Sequence, residues 1–276
     1  MSNVFVDATV LCNAIPLPHV SPANHALSFS ALKKHSTSEA PFYALKELRG
    51  GPLSSIMLFH NLLVTKDTVM EAVHEFQTRY SHTPRKWQAA STAIIDALLR
   101  MLPPLRASGE LSDAEIKQEL ENSLCLKITK AWQRRKAVIN RFSQPLQCFV
   151  DGDIGLMDRQ LRVLHGGADG CAKEARCGAA LLLQGKMKEV AVLVEALRPP
   201  KAKKGEAREK TETSTRRKAL KELQDKSAAR FDKRYCRGIG DAYYCLMAPE
   251  GFEILTTNTV DFQPMAMALG KKLTHP

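Results

Sequence analysis

The sequence predicts an α/β fold in which a parallel β-sheet is flanked by helices and interrupted by a large α-helical insertion. Short apolar runs at 3–7, 146–151 and 252–256 have the length of strands, and helical patterns lie between them. This alternation is typical of parallel sheets. The pattern from 52 to 142 is helical, and 276 residues suffice for such an enlarged domain.

The first predicted strand contains Val4, Phe5 and Val6 and ends on a carboxylate, Asp7. A continuous apolar run of this length suits a strand that is covered on both faces. Ligands of open α/β sheets bind beyond the carboxyl ends of the strands, so Asp7 is a candidate site residue. The alternative is that Asp7 only caps the helix predicted to follow it.

Helices are predicted near 25–34 and in "APFYALKELRGG", where an apolar run leads into a helix ending at Gly50 and Gly51. In the middle of the chain, Thr83 precedes a proline as the N-cap of a helix, and Ser112 and Glu115 form a capping box. Two tryptophans lie on helical stripes and are predicted to belong to the core; they are Trp87 and Trp132.

The run "LQCFVD" at 146–151 is the second predicted strand, and Asp151 and Asp153 come at its end. The neighbouring glycines favour a turn, in which an aspartate commonly bonds its own backbone. We therefore predict a structural role for both aspartates. A helix is predicted from about 172 to 197, and a charged helix reaches about 235 after a low-complexity basic stretch. An acidic loop is predicted after the strand at 252–256.

Most of the net charge of +11 lies in one segment, because 15 Lys or Arg and 6 Asp or Glu fall between Arg198 and Arg237. A basic segment attracts polyanions and releases their counterions, so nucleic acid is the first partner to consider. The alternative is a solvated tether. The candidate phosphate-binding residues of this segment are Lys201, Lys203, Lys204, Arg216 and Arg217.

Several classes of protein are disfavoured. No apolar run approaches the length of a membrane span and no signal peptide is evident, which predicts a cytoplasmic protein without membrane contact. The seven cysteines contain no C-x-x-C pair, which argues against a zinc site or a disulfide framework. The eight histidines show no metal-ligand spacing.

Four places in the chain put a carboxylate or an amide next to a strand end or a helix start. They are Asp7, Glu47, Asp241, and the pair Asn258 and Asp261. Parallel strands bring such residues to one edge of the sheet, where gathered carboxylates repel each other unless a cation lies among them. Hard oxygen ligands suit Mg²⁺ or Mn²⁺.

The stretches "VFVDATVL", "YALKELRGG", "GDAYYCLMA" and "ILTTNTVDF" follow one another in the order of the motifs of PIN-domain nucleases. The chain resembles this family, and in particular the VapC type of toxin ribonuclease. The resemblance matches Asp7 to the acid after the first strand, Glu47 to the acid at a helix start and Asp241 to the acid that opens the penultimate helix. The closing "LGKKLTHP" is similar to the small last strand of the family.

The resemblance implies a divalent-metal-dependent endoribonuclease that hydrolyses phosphodiester bonds, as a toxin or a defence effector. Asp7, Glu47, Asp241 and Asp261 would hold Mg²⁺ or Mn²⁺. Asn258 and a threonine, Thr257 or its neighbour Thr256, would orient water or phosphate. Asn258 stands where some relatives have a fourth acid, so Asp261 is expected to bind the metal through water or not at all.

The same resemblance divides the chain into five parts. They are 1–51, the first part of a PIN-like core; 52–142, a helical insertion; 143–197, a core strand and helices; 198–236, a basic and partly mobile insertion; and 237–276, the last part of the core. The expected partners are RNA first and DNA second, with an antitoxin protein and a second copy of the chain as further candidates. The alternatives left open are a catalytically inactive nucleic-acid or protein-binding module and a nuclease of structured DNA.

Overall fold

The computed structural model describes residues 2–81, 92–97, 100, 111–165, 176–198, 212–226, 231–232 and 235–276. The strands in these ranges are β1 (Asn3–Val6), β2 (Thr37–Pro41), β3 (Arg141–Ser143), β4 (Ile154–Met157), β5 (Gln160–Val163), β6 (Phe252–Leu255) and β7 (Leu273–Thr274). Five of them form one parallel sheet in the order β3-β2-β1-β6-β7, and β4 and β5 form a separate antiparallel hairpin. The predicted parallel sheet flanked by helices is confirmed.

The helices are α1 (Ala8–Ala14), α2 (Pro22–Lys34), α3 (Phe42–Leu48), α4 (Ser54–Thr65), α5 (Val69–Ser81), α6 (Asp113–Val138), α7 (Gly178–Leu183), α8 (Met187–Ala196), α9 (Glu212–Asp225), α10 (Gly240–Met247) and α11 (Thr259–Ala268). A further helical segment lies at 92–97. Among the described residues, no helix is both long and apolar enough to cross a membrane.

Strand β1 is the centre of the sheet. It pairs with β2 on one side and with β6 on the other. Val4, Phe5 and Val6 have no exposed surface, and because successive side chains point to opposite faces, both faces of the sheet are covered. The chain builds outward from β1 to β2 and β3, and it returns to the other side for β6 and β7. The strand order thus reverses beside β1, the place where open α/β sheets bind their ligands.

The central part of the chain, where the structure describes it, is helical as predicted. Ser112 and Glu115 form the capping box at the start of α6, and Trp132 is buried with its indole N–H donated to the carbonyl of Gly152. The predicted helix start at Thr83 and the stripe residue Trp87 lie outside the described residues.

The helix α3 does not stop at the two glycines. The backbone passes through one π-helical turn, Arg49–Leu53, straight into α4. Pro52 lies inside this turn and has no N–H to donate, which favours the wider turn over a regular α-helix. The prediction of a helix end at Gly50 and Gly51 was wrong for this reason.

The predicted strand at 146–151 is also wrong. The strand in this region is β3, which ends at Ser143; the next residue, Gln144, has a φ of 58° and precedes a proline. A side chain, and not a neighbouring strand, holds the backbone that follows β3. The guanidinium of Arg49 donates a hydrogen bond to the carbonyl of Val150 at 2.7 Å. Leu146 and Phe149 are buried in the core although the segment that contains them is irregular. The apolar run at 146–151 therefore reflects the burial of these side chains and not a strand.

Two other boundaries differ from the sequence prediction. The helix predicted over 172–197 is two helices, α7 and α8, separated by a 3₁₀ turn at Gln184–Lys186. The acidic loop predicted after β6 is the first turn of α11, because Thr259 already begins that helix. The basic stretch at 199–211, predicted to be mobile, lies outside the described residues.

Candidate active site

The predicted acids at the carboxyl end of the sheet lie around the point where the strand order reverses. Asp7 follows β1 directly, and its backbone N–H donates to the carbonyl of Leu255 in β6 at 3.0 Å. Asp241 lies in the first turn of α10, and Asp261 lies in the first turn of α11, which begins four residues after β6. The sheet and the helix starts therefore carry these acids to one edge.

Asp7 is buried, with 3% of its surface exposed. One carboxylate oxygen, Oδ2, accepts hydrogen bonds from the hydroxyls of Thr9 at 2.6 Å and Thr256 at 2.9 Å. Burial is the main cause that raises the pKa of Asp7 to about 6, and the charge of Asp241 adds to it while the two hydroxyls oppose it. The hydrogen bonds to Asp7 therefore do not fully compensate the negative charge of its carboxylate.

Glu47 projects from the last turn of α3, and not from a helix start as the resemblance implied, and it lies across from α10. The hydroxyl of Tyr244 donates to Glu47 Oε2 at 2.8 Å. Burial first, and then the charges of Asp7 and Asp241, raise the pKa of Glu47 to about 8, although the hydroxyl of Tyr244 opposes them. A carboxyl group with this pKa is largely protonated at neutral pH in the absence of a cation.

A glycine allows α10 to approach Glu47 closely. A Cβ atom placed on Gly240 would lie 3.3 Å from Glu47 Oε1 and 3.2 Å from the hydroxyl oxygen of Tyr43. The rings of Tyr43 and Tyr243 stack below this contact, with centroids 4.9 Å apart. Gly240 thereby brings Asp241, the next residue, toward α3.

Arg216 of α9 connects the two remaining acids. Its Nη2 atom pairs with Asp241 Oδ2 and lies 3.0 Å from Asp261 Oδ2, and its Nη1 atom donates to Asp261 Oδ1 at 3.4 Å. Burial lowers the pKa of the guanidinium, but the two aspartates raise it more, so Arg216 remains a cation.

The polar residues after β6 are ordered by the same contacts. Thr256 accepts the backbone N–H of Asn258 at 3.0 Å while it donates to Asp7. The side-chain amide of Asn258 donates to Asp261 Oδ2 at 2.8 Å. Of the two threonines that the sequence offered, Thr256 contacts Asp7, and Thr257 is half-buried beside it.

The predicted phosphate-binding residues divide into two groups. Lys201, Lys203 and Lys204 lie outside the described residues. Arg216 turns toward the acids, and Arg217 donates its Nε hydrogen to the carbonyl of Val194 at 2.9 Å. Arg217 therefore attaches α9 to α8. Lys218 and Lys221 are the exposed cations on the described part of α9.

Asp151 and Asp153 lie away from this group. Asp151 pairs with the buried Arg135 at 2.8 Å, and that guanidinium lies 4.0 Å from the ring centroid of Trp132. The backbone carbonyl of Asp153 accepts the N–H of Leu164 at 2.8 Å at the base of the hairpin. Both contacts agree with the structural role predicted for these residues.

The carboxylates suit Mg²⁺ or Mn²⁺ in their donor chemistry and in their unbalanced charge. In the parts of the chain that the structure describes, however, no three His, Cys, Asp or Glu side chains are grouped closely enough to hold a metal by themselves. Mg²⁺ usually keeps several waters and takes one or two carboxylates, so a smaller direct ligand set is sufficient. Two of the acids Asp7, Glu47 and Asp241 would supply such a set, and the third would reach the ion through water.

The sequence reasoning missed Thr9 and Tyr244 as partners of the acids. Thr9 follows Asp7 by two residues in the first turn of α1, so its hydroxyl lies within reach of the Asp7 carboxylate. Tyr244 lies three residues after Asp241, on the next turn of the same helix, so the helical spacing could have indicated it.

Comparisons of the chain with protein-family models, with curated proteins and with solved structures find no match.

Proposed function

We propose that the chain is a divalent-metal-dependent endoribonuclease with a PIN-like core, into which 52–142 and 198–236 are inserted. The proposal rests on the gathering of Asp7, Glu47 and Asp241 at the carboxyl end of a parallel sheet, where burial and neighbouring charges raise the pKa of Asp7 and of Glu47. Carboxyl groups that disfavour each other's charge in this way favour uptake of a cation.

In this proposal Asp7, Glu47 and Asp241 hold Mg²⁺ or Mn²⁺. A bound divalent ion polarises a phosphodiester and lowers the pKa of a coordinated water. The chain's own residues orient the ligands. Thr9 and Thr256 fix one oxygen of Asp7, and the hydroxyl of Tyr244 fixes one oxygen of Glu47.

The proposed substrate is a nucleic acid, with RNA before DNA. The net charge of the segment from Arg198 to Arg237 is strongly positive, and its described helix α9 carries Arg216 to the acids and exposes Lys218 and Lys221. Cations near a phosphodiester site attract the polyanion without reading its bases. RNA and DNA are for that reason both used in the test.

The test is cleavage of labelled RNA and labelled DNA by the purified full chain, with Mn²⁺ and with EDTA. We expect RNA cleavage that requires the ion. Asp7→Asn keeps an oxygen that can accept from Thr9 and Thr256 but removes the charge, so we expect about a 100-fold loss or more. Asp153→Asn is the matched control, since Asp153 is exposed and serves the hairpin through its backbone.

The controls separate the outcomes. Thermal melts show whether both variants fold. Equal activity of Asp7→Asn and wild type would contradict the proposed site. Binding of RNA without cleavage at any Mn²⁺ concentration would instead support a non-catalytic binding module, and cleavage of DNA alone would replace the substrate.

A further inference from the structure

We infer that Arg216 is a built-in counter-ion that fills one of two cation positions in the acidic site, so that the chain takes up one divalent ion fewer than its carboxylates could otherwise hold. The inference deepens the proposed function and rests on it. It concerns a residue that composition alone would assign to substrate phosphate.

The contacts of the guanidinium are those of a bridging cation. Its Nη2 atom contacts Asp241 and Asp261 together, and Nη1 reaches the second oxygen of Asp261. Only 7% of Arg216 is exposed. A nearly buried guanidinium between two carboxylates is oriented toward those carboxylates, and a substrate phosphate would have to compete with both of them.

The helix that carries Arg216 is a fixed part of the core. Ala219, Leu220 and Leu223 are buried on the same face of α9, at the spacings of three, four and seven residues that align with Arg216. A Cβ atom on Gly238 would lie only 2.8 Å from the Cβ atom of Ala219, so the backbone before α10 packs directly on α9. Arg216 is thus held in the site by packing around its own helix.

The four carboxylates define two adjacent places for positive charge. Asp7 at the end of β1, Glu47 and Asp241 define the first, because a Cβ on Gly240, the residue before Asp241, would lie 3.3 Å from Glu47 Oε1. Asp241 and Asp261 define the second, which the guanidinium fills. Sites that hold two ions close together are a recurrent arrangement in phosphodiester chemistry.

The charges agree with this assignment. When a bound cation keeps all four carboxylates ionised, they carry four negative charges, and Arg216 returns one positive charge. A single divalent ion then leaves the site with one residual negative charge, whereas two divalent ions together with Arg216 would make it positive. When the guanidinium is removed, the negative charge and the oxygens of Asp241 and Asp261 become available to a second ion.

The test is the Mn²⁺ stoichiometry of the full chain, measured by titration calorimetry and by the loss of the free-ion signal in electron paramagnetic resonance. We expect Arg216→Gln to bind one more Mn²⁺ than wild type does. The matched control is Lys221→Gln, which removes the same charge from an exposed position on the same helix and should bind as wild type does. Arg216→Lys keeps a cation and should also bind as wild type does.

A second variant keeps the inference testable if Arg216→Gln does not fold. Because Asp261 is assigned to the guanidinium, Asp261→Asn should keep the wild-type stoichiometry, with a loss of Mn²⁺ affinity no greater than the about 100-fold typical of an outer partner. Loss of the bound ion, or a loss of affinity well beyond the about 100-fold that an outer partner costs, would make Asp261 a direct ligand and would overturn the inference.

The Mn²⁺ stoichiometries distinguish failure of the counter-ion role of Arg216 from failure of the proposed function. Equal stoichiometry and affinity in Arg216→Gln and Lys221→Gln, with one ion bound in wild type, would overturn the counter-ion role and leave the proposed function intact. One ion bound by Arg216→Gln and none by wild type would support the counter-ion role and contradict the metal-dependent function of the chain.

Discussion

Glu47→Gln should stabilise the metal-free protein at alkaline pH. The substitution keeps an oxygen that can accept the hydroxyl of Tyr244, which bonds Glu47 at 2.8 Å, and it removes a carboxyl group that the folded protein prefers to keep protonated. The effect is expected only where the carboxyl group is ionised, so it depends on pH.

The sign follows from the direction of the pKa shift. The pKa of Glu47 rises from 4.5 in the unfolded chain to about 8 in the folded protein. Below about pH 4.5 both states are protonated, and between about pH 4.5 and 8 only the folded state retains the proton. The free energy of unfolding of wild type therefore falls through this window as the pH rises, and the contribution of Glu47 is lost above about pH 8.

The magnitude has an upper bound. One pKa unit corresponds to about 1.4 kcal/mol, so the shift of Glu47 amounts to at most about 5 kcal/mol. Glu47 is half-buried, and solvent screening and local relaxation reduce this value, so we expect about 2 kcal/mol of stabilisation in Glu47→Gln at about pH 9.

The assay is urea unfolding of both proteins in EDTA from about pH 5 to 9. The difference between the two free energies isolates Glu47 from the other titrating groups. Added Mn²⁺ should reverse the order at high pH, because wild type alone keeps the full ligand set. A constant difference across the pH range, or a less stable Glu47→Gln at about pH 9 in EDTA, would contradict the raised pKa of Glu47 as the cause.

Three other substitutions test the surroundings of the site. Gly240→Ala places a Cβ 3.3 Å from Glu47 Oε1 and should lower the free energy of unfolding by about 1–2 kcal/mol in urea. Tyr244→Phe removes a hydroxyl that lowers the pKa of Glu47, so the midpoint of Mn²⁺ binding should move to higher pH; an unchanged midpoint would contradict this. Arg135→Ala removes the partner of Asp151 and should destabilise by about 2 kcal/mol without changing Mn²⁺ binding.

The sequence predicted the strands whose buried residues are mostly apolar. Val4, Phe5 and Val6 mark β1, and the apolar residues of "FEIL" mark β6, so the location of Asp7 followed from the pattern. Strand β2 gave no such signal, because its buried residues include Ser38 and Glu39. A prediction that relies on apolar runs assigns a strand with such polar residues to a loop.

The acids of the site were predicted from their places next to strands and helices, but the role of Arg216 was not. A count of charges treats all arginines of the basic segment alike. Helical spacing would have separated them, because Arg216 shares a face with Ala219, Leu220 and Leu223 while its neighbour Arg217 does not. The hydroxyl of Thr256 could be assigned only when β6 was placed next to β1.

The most direct test of the metal site is anomalous scattering from crystals of the full chain soaked with Mn²⁺. We predict one anomalous peak among the carboxylates of Asp7, Glu47 and Asp241, with Arg216 still between Asp241 and Asp261. A peak elsewhere in the molecule, or no peak near Asp7 at a Mn²⁺ concentration that supports cleavage, would contradict this prediction.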